Sequence, residues 1–331
     1  MPYIIAEAGV NHNGNLEIAK KLCLAAKKAG ADAVKFQTWI TEKIITQNVK
    51  QADYQRTNTK SEQSQFDMLK ALELTYDEFR IIKEYCDQIK IQFVSTADEQ
   101  DSLDFLVDLG IPFIKVGSGD IGNIPYLRYI GSKNKPVMLS TGMSTLSDVE
   151  ISIKALKDGG AEEIILLHCT TDYPCPCDSV NLRAMDTLRN AFGVKVGYSD
   201  HTVGIEIPIS ASARGAVVIE KHFTLDRNME GPDHAASTEP DEFRCMVDAV
   251  RNIERALGTG IKEPSVAERE IANVILKRIV AKRSIPRGKV FENEDLCVKR
   301  NQNGLPAKMW DILIGTKSRK DYAEDEGIEF S

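Results

Sequence analysis

Eight short apolar runs, each closed by polar residues and each followed by a stretch with helical spacing, restrict what this chain can fold into. The runs are Tyr3–Val10, Ala33–Trp39, Ile91–Ala97, Pro112–Ser118, Pro136–Gly142, Glu163–Thr170, Val194–His201 and Val217–Thr224. Nearly continuous apolar runs suit strands buried on both faces. Eight strand–helix units predict a closed parallel (β/α)8 TIM barrel. The first unit shows the pattern: Tyr3-Ile4-Ile5-Ala6 leads to Ile18, Leu22, Ala25 and Ala29 on one helical stripe, with Gly30 as the stop. Helical stretches follow at Leu103–Leu109, Ile124–Gly131, Thr145–Gly159, Val180–Phe192, Gly204–Arg214 and Glu239–Leu257. Thr41–Gln65 breaks the rhythm. It is polar and weakly periodic, and it leaves the end of the second strand, where barrels place lids.

The rhythm stops near Leu257, which assigns residues 1–258 to the barrel. Residues 259–278 read as a linker with one helix over Ser265–Arg278. Residues 279–331 carry short apolar pieces and turns, Val280-Ala281, Pro286-Arg287-Gly288, Leu296-Cys297-Val298 and Gly304-Leu305-Pro306, and predict a compact β-rich module. So small a unit needs the barrel or a partner chain for stability.

A net charge of −7 argues against a nucleic-acid partner, which calls for a basic face. Seven scattered cysteines, an odd number, fit reduced thiols in the cytoplasm. No apolar run reaches membrane-spanning length and no leader precedes Tyr3, so a soluble cytoplasmic protein without a membrane partner is expected.

Barrel enzymes work at the C-terminal ends of their strands. Those ends carry Glu7, Lys35, Gln37, Ser95, Thr96, Lys115, Ser118, Ser140, Thr141, His168, Thr170, Ser199, His201, Lys221 and His222. Cations, hydroxyls and imidazoles together suit a phosphorylated anion and a metal. His201 and His222 close neighbouring strands and form a candidate divalent-metal half-site, to be completed by water or substrate oxygens. Two hydrogen-bonded structural histidines are the alternative. Lys35 and Lys115 lie inside apolar strands, where an ammonium is costly unless it meets an anion. An ion pair with Glu7, or a Schiff-base lysine of the class I aldolase kind, remains open for them. Glu7 and Asp233 are the candidates for handling protons. Gly117–Gly122 matches G-x-G-x-x-G but follows a fourth strand, so it reads as a tight turn rather than a dinucleotide site. Cys175-Pro176-Cys177 lacks a second cysteine pair for zinc. Asn11-His12-Asn13 is not the His-x-His of a barrel hydrolase.

Several strings resemble a known family: Ile5-Ala6-Glu7-Ala8-Gly9-Val10-Asn11-His12-Asn13-Gly14, Val34-Lys35-Phe36-Gln37-Thr38, Lys115-Val116-Gly117-Ser118-Gly119, Leu139-Ser140-Thr141-Gly142-Met143, Leu167-His168-Cys169-Thr170, Tyr198-Ser199-Asp200-His201-Thr202 and Lys221-His222-Phe223-Thr224. They are similar to the bacterial sialic-acid synthases. Val280–Arg300 with Gly304-Leu305-Pro306 resembles the antifreeze-like (SAF) module of that family, so the likeness spans essentially the whole chain. It implies a transferase-type synthase. Phosphoenolpyruvate condenses with an N-acetylated amino sugar to give a nine-carbon 2-keto-3-deoxy acid plus phosphate. It also implies a divalent metal, commonly manganese with magnesium or cobalt as alternatives, at His201 and His222, and no organic cofactor.

By the same resemblance, Lys35, Thr96, Lys115, Ser118 and Ser199 hold phosphoenolpyruvate, Glu7 handles protons, and Gln37, Tyr173 and Asp233 face the sugar. Arg300 enters the barrel mouth of the partner subunit, which implies a homodimer with each C-terminal module capping the neighbouring barrel. Asp120 and Thr171 stand at substrate positions where many members carry Glu and Asn, and Asn301 replaces a proline after Arg300. Phe36 stands where many members carry His. It is expected to make the sugar side apolar and to favour a 6-deoxy acceptor. The acceptor implied is 2,4-diacetamido-2,4,6-trideoxymannose, giving legionaminic acid. N-acetylneuraminate and pseudaminic acid synthesis are the alternatives.

Overall fold

The structure is a computed structural model that describes residues 1–59 and 63–330. Eight parallel strands close into a barrel in sequence order: β1 (Tyr3–Gly9), β2 (Ala33–Thr38), β3 (Gln92–Ala97), β4 (Ile114–Val116), β5 (Val137–Ser140), β6 (Ile164–His168), β7 (Lys195–Asp200) and β8 (Val218–His222). β8 returns to pair with β1, with Glu7 level with His222, and Glu7 is level with Lys35 on β2. The predicted TIM barrel is therefore the fold.

Strand alternation divides the side chains into two layers. Ile5, Ala33, Val94, Phe113, Met138 and Val218 fill the barrel interior with Ile165 and Leu167. Two residues further along the same strands stand Glu7, Lys35, Thr96, Lys115, Ser140 and Glu220. An apolar plug thus supports a polar floor. Residues of opposite parity, such as Ile4, Val34, Leu166 and Ile219, face the surrounding helices. Phe36 belongs to that outer layer. It is fully buried, with its ring 6.1 Å from Phe93 and 6.5 Å from Phe79. The expectation that Phe36 shapes the sugar side is therefore corrected: with Lys35 and Gln37 facing inward, the residue between them faces outward.

Local signals explain the helices. Asn15 caps Leu16–Lys28 by accepting from the amides of Glu17 and Ile18, while Thr75 and Thr145 open Tyr76–Ile89 and Leu146–Gly159 with capping boxes. The helix expected over Val180–Phe192 is split into Cys177–Val180 and Ala184–Phe192, because Asn181 adopts a left-handed φ of 50° between them. The polar Thr41–Gln65 segment is more ordered than its weak periodicity suggests. It contains the helices Thr41–Ile44 and Asp53–Thr59 and leads into Gln65–Leu72. Residues 60–62 of it lie outside the described residues.

The chain divides into two compact units, Met1–Gly258 and a second from Thr259 onward. In the second unit Ser265 caps a helix that runs only over Val266–Ile275, shorter than expected. Arg278 is instead part of strand β9 (Lys277–Ala281), antiparallel to β10 (Leu296–Arg300). This unit has its own core, built from Ile279, Ala281, Ile285, Phe291, Leu296, Leu313, Tyr322 and Ile328. Buried Asp295 is neutralised by Arg283 and Lys289. Among the described residues no helix is long and apolar enough to cross a membrane.

Candidate active site

Twelve of the residues expected to act together line one cavity of about 270 Å³ at the C-terminal end of the barrel: Glu7, Lys35, Gln37, Thr96, Lys115, Ser118, Thr171, Tyr173, Ser199, His201, His222 and Asp233. That volume is near the lower end of small-molecule pockets and suits compact substrates. Asp120 is not part of the lining. It sits on the turn Ser118–Asp120 and accepts from the Asn123 amide at 2.9 Å. Arg300 is the exposed last residue of β10 in the second unit.

The floor is an alternating chain of charges. Lys35 Nζ lies 2.6 Å from Glu7 and 3.8 Å from Glu220, and Lys115 Nζ lies 3.6 Å from Glu220. Hydroxyls extend it: Lys35 reaches Thr96 at 3.2 Å, Lys115 reaches Ser140 at 2.7 Å, and Ser199 donates to Glu220 at 3.0 Å. Gln37 donates to Glu7 at 3.0 Å. All four charged groups are almost fully buried. Burial opposes the Glu220 anion, yet Lys115, Lys35 and the Ser199 hydroxyl together bring its carboxyl down to about 2. Burial dominates at Glu7, whose carboxyl is raised despite Lys35, and at Lys115, whose ammonium is lowered despite Glu220. Lys35, held between two carboxylates, is raised against its burial.

Gly9 makes this floor possible at β1. The β1–β2 register shifts between Glu7 and Gly9, and Gly9 has a φ of 49°. A Cβ there would come within 3.2 Å of the Glu7 carboxylate and 3.3 Å of the Gln37 amide. Gly142 plays a similar part on the far wall, where a Cβ would fall 2.2 Å from the Thr171 hydroxyl and 2.8 Å from that of Ser118.

Above the floor stand the two imidazoles, with ring centroids 5.3 Å apart and Tyr173 4.2 Å from His201. Burial lowers the pKa of His201, and burial with His201 and Lys35 lowers that of His222 well below the ordinary value. Both rings are therefore neutral near pH 7. Neutral His201 donates Nδ1–H to the Thr170 carbonyl at 2.6 Å, leaving the Nε2 lone pair available. His222 Nδ1 is buried without a hydrogen-bond partner, 3.7 Å from Asp233. Burial, then the Glu7 charge, raises Asp233 to about 7. Two neutral imidazoles, one fixed by a carbonyl and one with an orphaned nitrogen, fit the donor set of a divalent ion. Among the described residues no group of three or more His, Cys, Asp or Glu is gathered as a metal site, so the remaining positions would fall to water or substrate oxygens.

Five residues of the strand-end ring, Ser95, Thr141, His168, Thr170 and Lys221, are absent from the lining of this cavity. His168 Nε2 is 2.7 Å from the Val180 carbonyl, and Lys221 is buried beside Asp200. His12 is a turn residue whose Nδ1 accepts from the Gly14 amide. Conversely, the site contains residues to which the sequence assigned no role. Glu220, which strand parity places on the inner face with His222, links the two lysines. Asp98, just beyond β3, lines the cavity and is raised to about 7 by burial and Asp120. The polar segment after β2 contributes Gln55, while Asn58 donates to the Pro232 carbonyl at 2.7 Å. Met68, Leu69 and Leu72 add an apolar wall from the following helix. No strand periodicity marks these positions.

A closed barrel with polar, titratable side chains gathered at the C-terminal mouth of its strands has the form of a (β/α)8 enzyme. The chain belongs to the NeuB family, whose profile matches residues 22–262, and an SAF domain profile matches residues 278–331. It is 45% identical over 327 residues to an N,N'-diacetyllegionaminic acid synthase of Campylobacter jejuni, covering 98% of each chain. To the enzyme of the same name from Legionella pneumophila it is 42% identical, over 95% of this chain and 90% of that one. A crystal structure of an N-acetylneuraminic acid synthetase from Leptospira borgpetersenii in complex with citrate superposes with a TM-score of 0.73 at 35% identity, covering 83% of this chain and 93% of that one. The resemblance to the sialic-acid synthases is borne out.

Proposed function

We propose that this chain condenses phosphoenolpyruvate with 2,4-diacetamido-2,4,6-trideoxymannose to give N,N'-diacetyllegionaminic acid and phosphate. The observation that carries the reading is the buried Lys35–Glu220–Lys115 floor beneath two neutral imidazoles. It is supported by identity above 40% to two synthases of that name over almost their full length.

Fixed ammonium groups and the hydroxyls of Thr96, Ser118, Ser140 and Ser199 bind the phosphate and carboxylate of the donor without reorganising as charge shifts. They hold its C3 within reach of the acceptor aldehyde, which supplies the proximity contribution. The C3–C1 bond forms as the aldehyde oxygen takes a proton. Water then adds at C2 and gives up a proton, for which Glu7, in the floor beside Lys35, is the acceptor. The bond from C2 to the phosphate oxygen breaks as the new C2 hydroxyl becomes the ketone, and its proton leaves with the phosphate. His201 and His222 would hold a divalent ion, with manganese the first choice, and that ion would polarise the aldehyde. Gln37, Tyr173 and Asp233, set around the imidazoles, would orient the sugar.

A homodimer is part of the proposal. The Val266–Ile275 helix buries no side chain and leaves Ile271, Val274 and Leu276 just beyond it exposed, an apolar face suited to a second copy. Such a dimer would bring the partner's SAF module and its arginine, equivalent to Arg300, over the barrel. Seven free thiols support a reducing, cytoplasmic setting.

The test is phosphate release from phosphoenolpyruvate with three acceptors in parallel: N-acetylmannosamine and the two diacetamido-trideoxyhexoses that lead to legionaminic and pseudaminic acids. The manno diacetamido sugar should give the highest kcat/KM. Preference for either other acceptor replaces the substrate named here, and no release with any of them overturns the reaction. Trapping with borohydride and a keto acid should fail; covalent trapping at Lys115 would establish the aldolase alternative.

A further inference from the structure

The outward faces of β7 and β8 carry a polar cluster that the cavity does not use. Lys221 is level with Asp200 across the β7–β8 pairing and forms an ion pair with it. Lys221 Nζ also donates to the Thr202 carbonyl at 2.8 Å. Asp200 Oδ1 accepts from the Tyr198 hydroxyl at 3.0 Å, the Thr202 amide at 3.2 Å and the Thr202 hydroxyl at 2.9 Å. Asp200, Thr202 and Tyr198 are each 1% exposed and Lys221 is 2% exposed.

A buried ion pair is a poor means of stabilising a fold, because desolvating both charges cancels much of their attraction. Apolar side chains of similar volume would serve the strand–helix layer at least as well. The position of the cluster in the chain suggests what it does instead. Asp200 and Thr202 bracket His201, and Lys221 immediately precedes His222. The backbone of His201 is held from the other side as well, since its carbonyl accepts from the Cys175 amide at 2.8 Å. The two contacts of Lys221 Nζ, with Asp200 and with the Thr202 carbonyl, therefore tie the backbone that carries one imidazole to the backbone that carries the other, while Tyr198 and Thr202 fix the Asp200 carboxylate that Lys221 meets.

We propose that Asp200, Lys221 and Thr202 are positioning residues that lock the ends of β7 and β8 together, so that the His201 and His222 rings are held at the spacing a single divalent ion requires. The inference rests on the reading of these imidazoles as metal ligands. Ligand geometry is sensitive to displacements well under 1 Å, and the cluster is placed to prevent the two strand ends from shearing. Its loss should loosen the ion rather than the anion floor, which spans β1 to β5 as well.

The experiment measures Mn2+ binding to the full-length, chelator-stripped protein from the electron paramagnetic resonance signal of free Mn2+. The variants are Lys221→Met, Asp200→Asn, Thr202→Val and His222→Ala. Phosphoenolpyruvate affinity of the metal-free protein is measured by intrinsic fluorescence, and thermal midpoints are recorded alongside. Lys221→Met and Asp200→Asn are expected to weaken Mn2+ by about 10-fold or more, in the range for residues that orient metal ligands, and Thr202→Val, which only loosens the Asp200 carboxylate, by less. Phosphoenolpyruvate affinity should stay within about twofold, since Mn2+ loss on this argument is local. A lowered thermal midpoint with unchanged Mn2+ affinity would show the cluster to be structural only and overturn the inference. If Lys221→Met does not fold, Asp200→Asn decides, because it keeps the shape of the side chain and removes the charge that ties Lys221 to β7. Wild-type protein that binds no Mn2+, or His222→Ala that binds it normally, overturns the metal reading and this inference with it. Normal wild-type binding, lost in His222→Ala but kept in the other variants, overturns the positioning role alone.

Discussion

Replacing Glu220 by Gln tests the charge chain at its centre. The substitution keeps the shape and an acceptor for Ser199, but leaves Lys35 and Lys115 with only Glu7 between them. At 3.8 Å and 3.6 Å, the attractions it removes are each about 4–5 kcal/mol at an effective dielectric of about 20. Relief of carboxylate desolvation offsets part of this, and removing one partner of a buried pair typically costs about 3–5 kcal/mol. The depression of the Glu220 carboxyl is of similar size. The Glu220 carboxyl is drawn from 4.5 to about 2, which corresponds to about 3 kcal/mol. Because the folded value is depressed, that contribution is complete above about pH 4.5 and fades as the pH falls toward 2. Urea denaturation at pH 7 should therefore show Glu220→Gln to be about 3–5 kcal/mol less stable than wild type. Saturating phosphoenolpyruvate, whose anionic groups can stand in for the lost carboxylate, should narrow the deficit by more than about 1 kcal/mol. A deficit under about 1 kcal/mol, or one of equal size with and without the donor, would refute the picture of a neutralised floor waiting for an anion.

Other outcomes follow from particular contacts. Arg300→Ala should reduce turnover with little change in stability, and mixing it with a Lys115→Met variant should restore partial activity through hybrid dimers; no recovery would place the whole site within one chain. Asp98→Asn should raise the melting temperature by about 2–4 °C at pH 8 and have little effect at pH 4. The sign follows from a carboxyl raised from 3.8 to about 7, whose anionic cost grows between those values as pH rises. Phe36→His should cost about 2–4 kcal/mol in denaturation and leave acceptor preference unchanged, since Phe36 packs in the outer layer; a changed ratio of kcat/KM between acceptors would contradict that placement.

The barrel was legible because apolar runs and helical stripes alternate eight times, a pattern few folds share. Lys35 and Lys115 were legible for a physical reason: an ammonium inside an apolar strand signals a compensating anion. Strand parity places Glu220 inside with His222, and the same rule sends Phe36, His168 and Lys221 outward, although their strand-end positions alone point to the mouth. Asp98, Gln55 and Met68 were not legible, because they reach the cavity from turns and from helices after the strands, where spacing along the chain no longer reports direction. The segment after β2 looks irregular in the sequence because its helices run for only four and seven residues, too short to repeat an apolar stripe.

The packing of Ile5, Ala33, Val94, Phe113, Met138 and Val218 under the lysines closes one end of the tube. Reactants and products must then share a single doorway. A molecule bound at the lysines would lie deepest, and on the proposed reading a sugar seated over it at the imidazoles would block its retreat. Arrival is accordingly expected to be ordered, three-carbon donor before aldehyde, and the departing phosphate can escape only past, or after, the newly lengthened carbon chain.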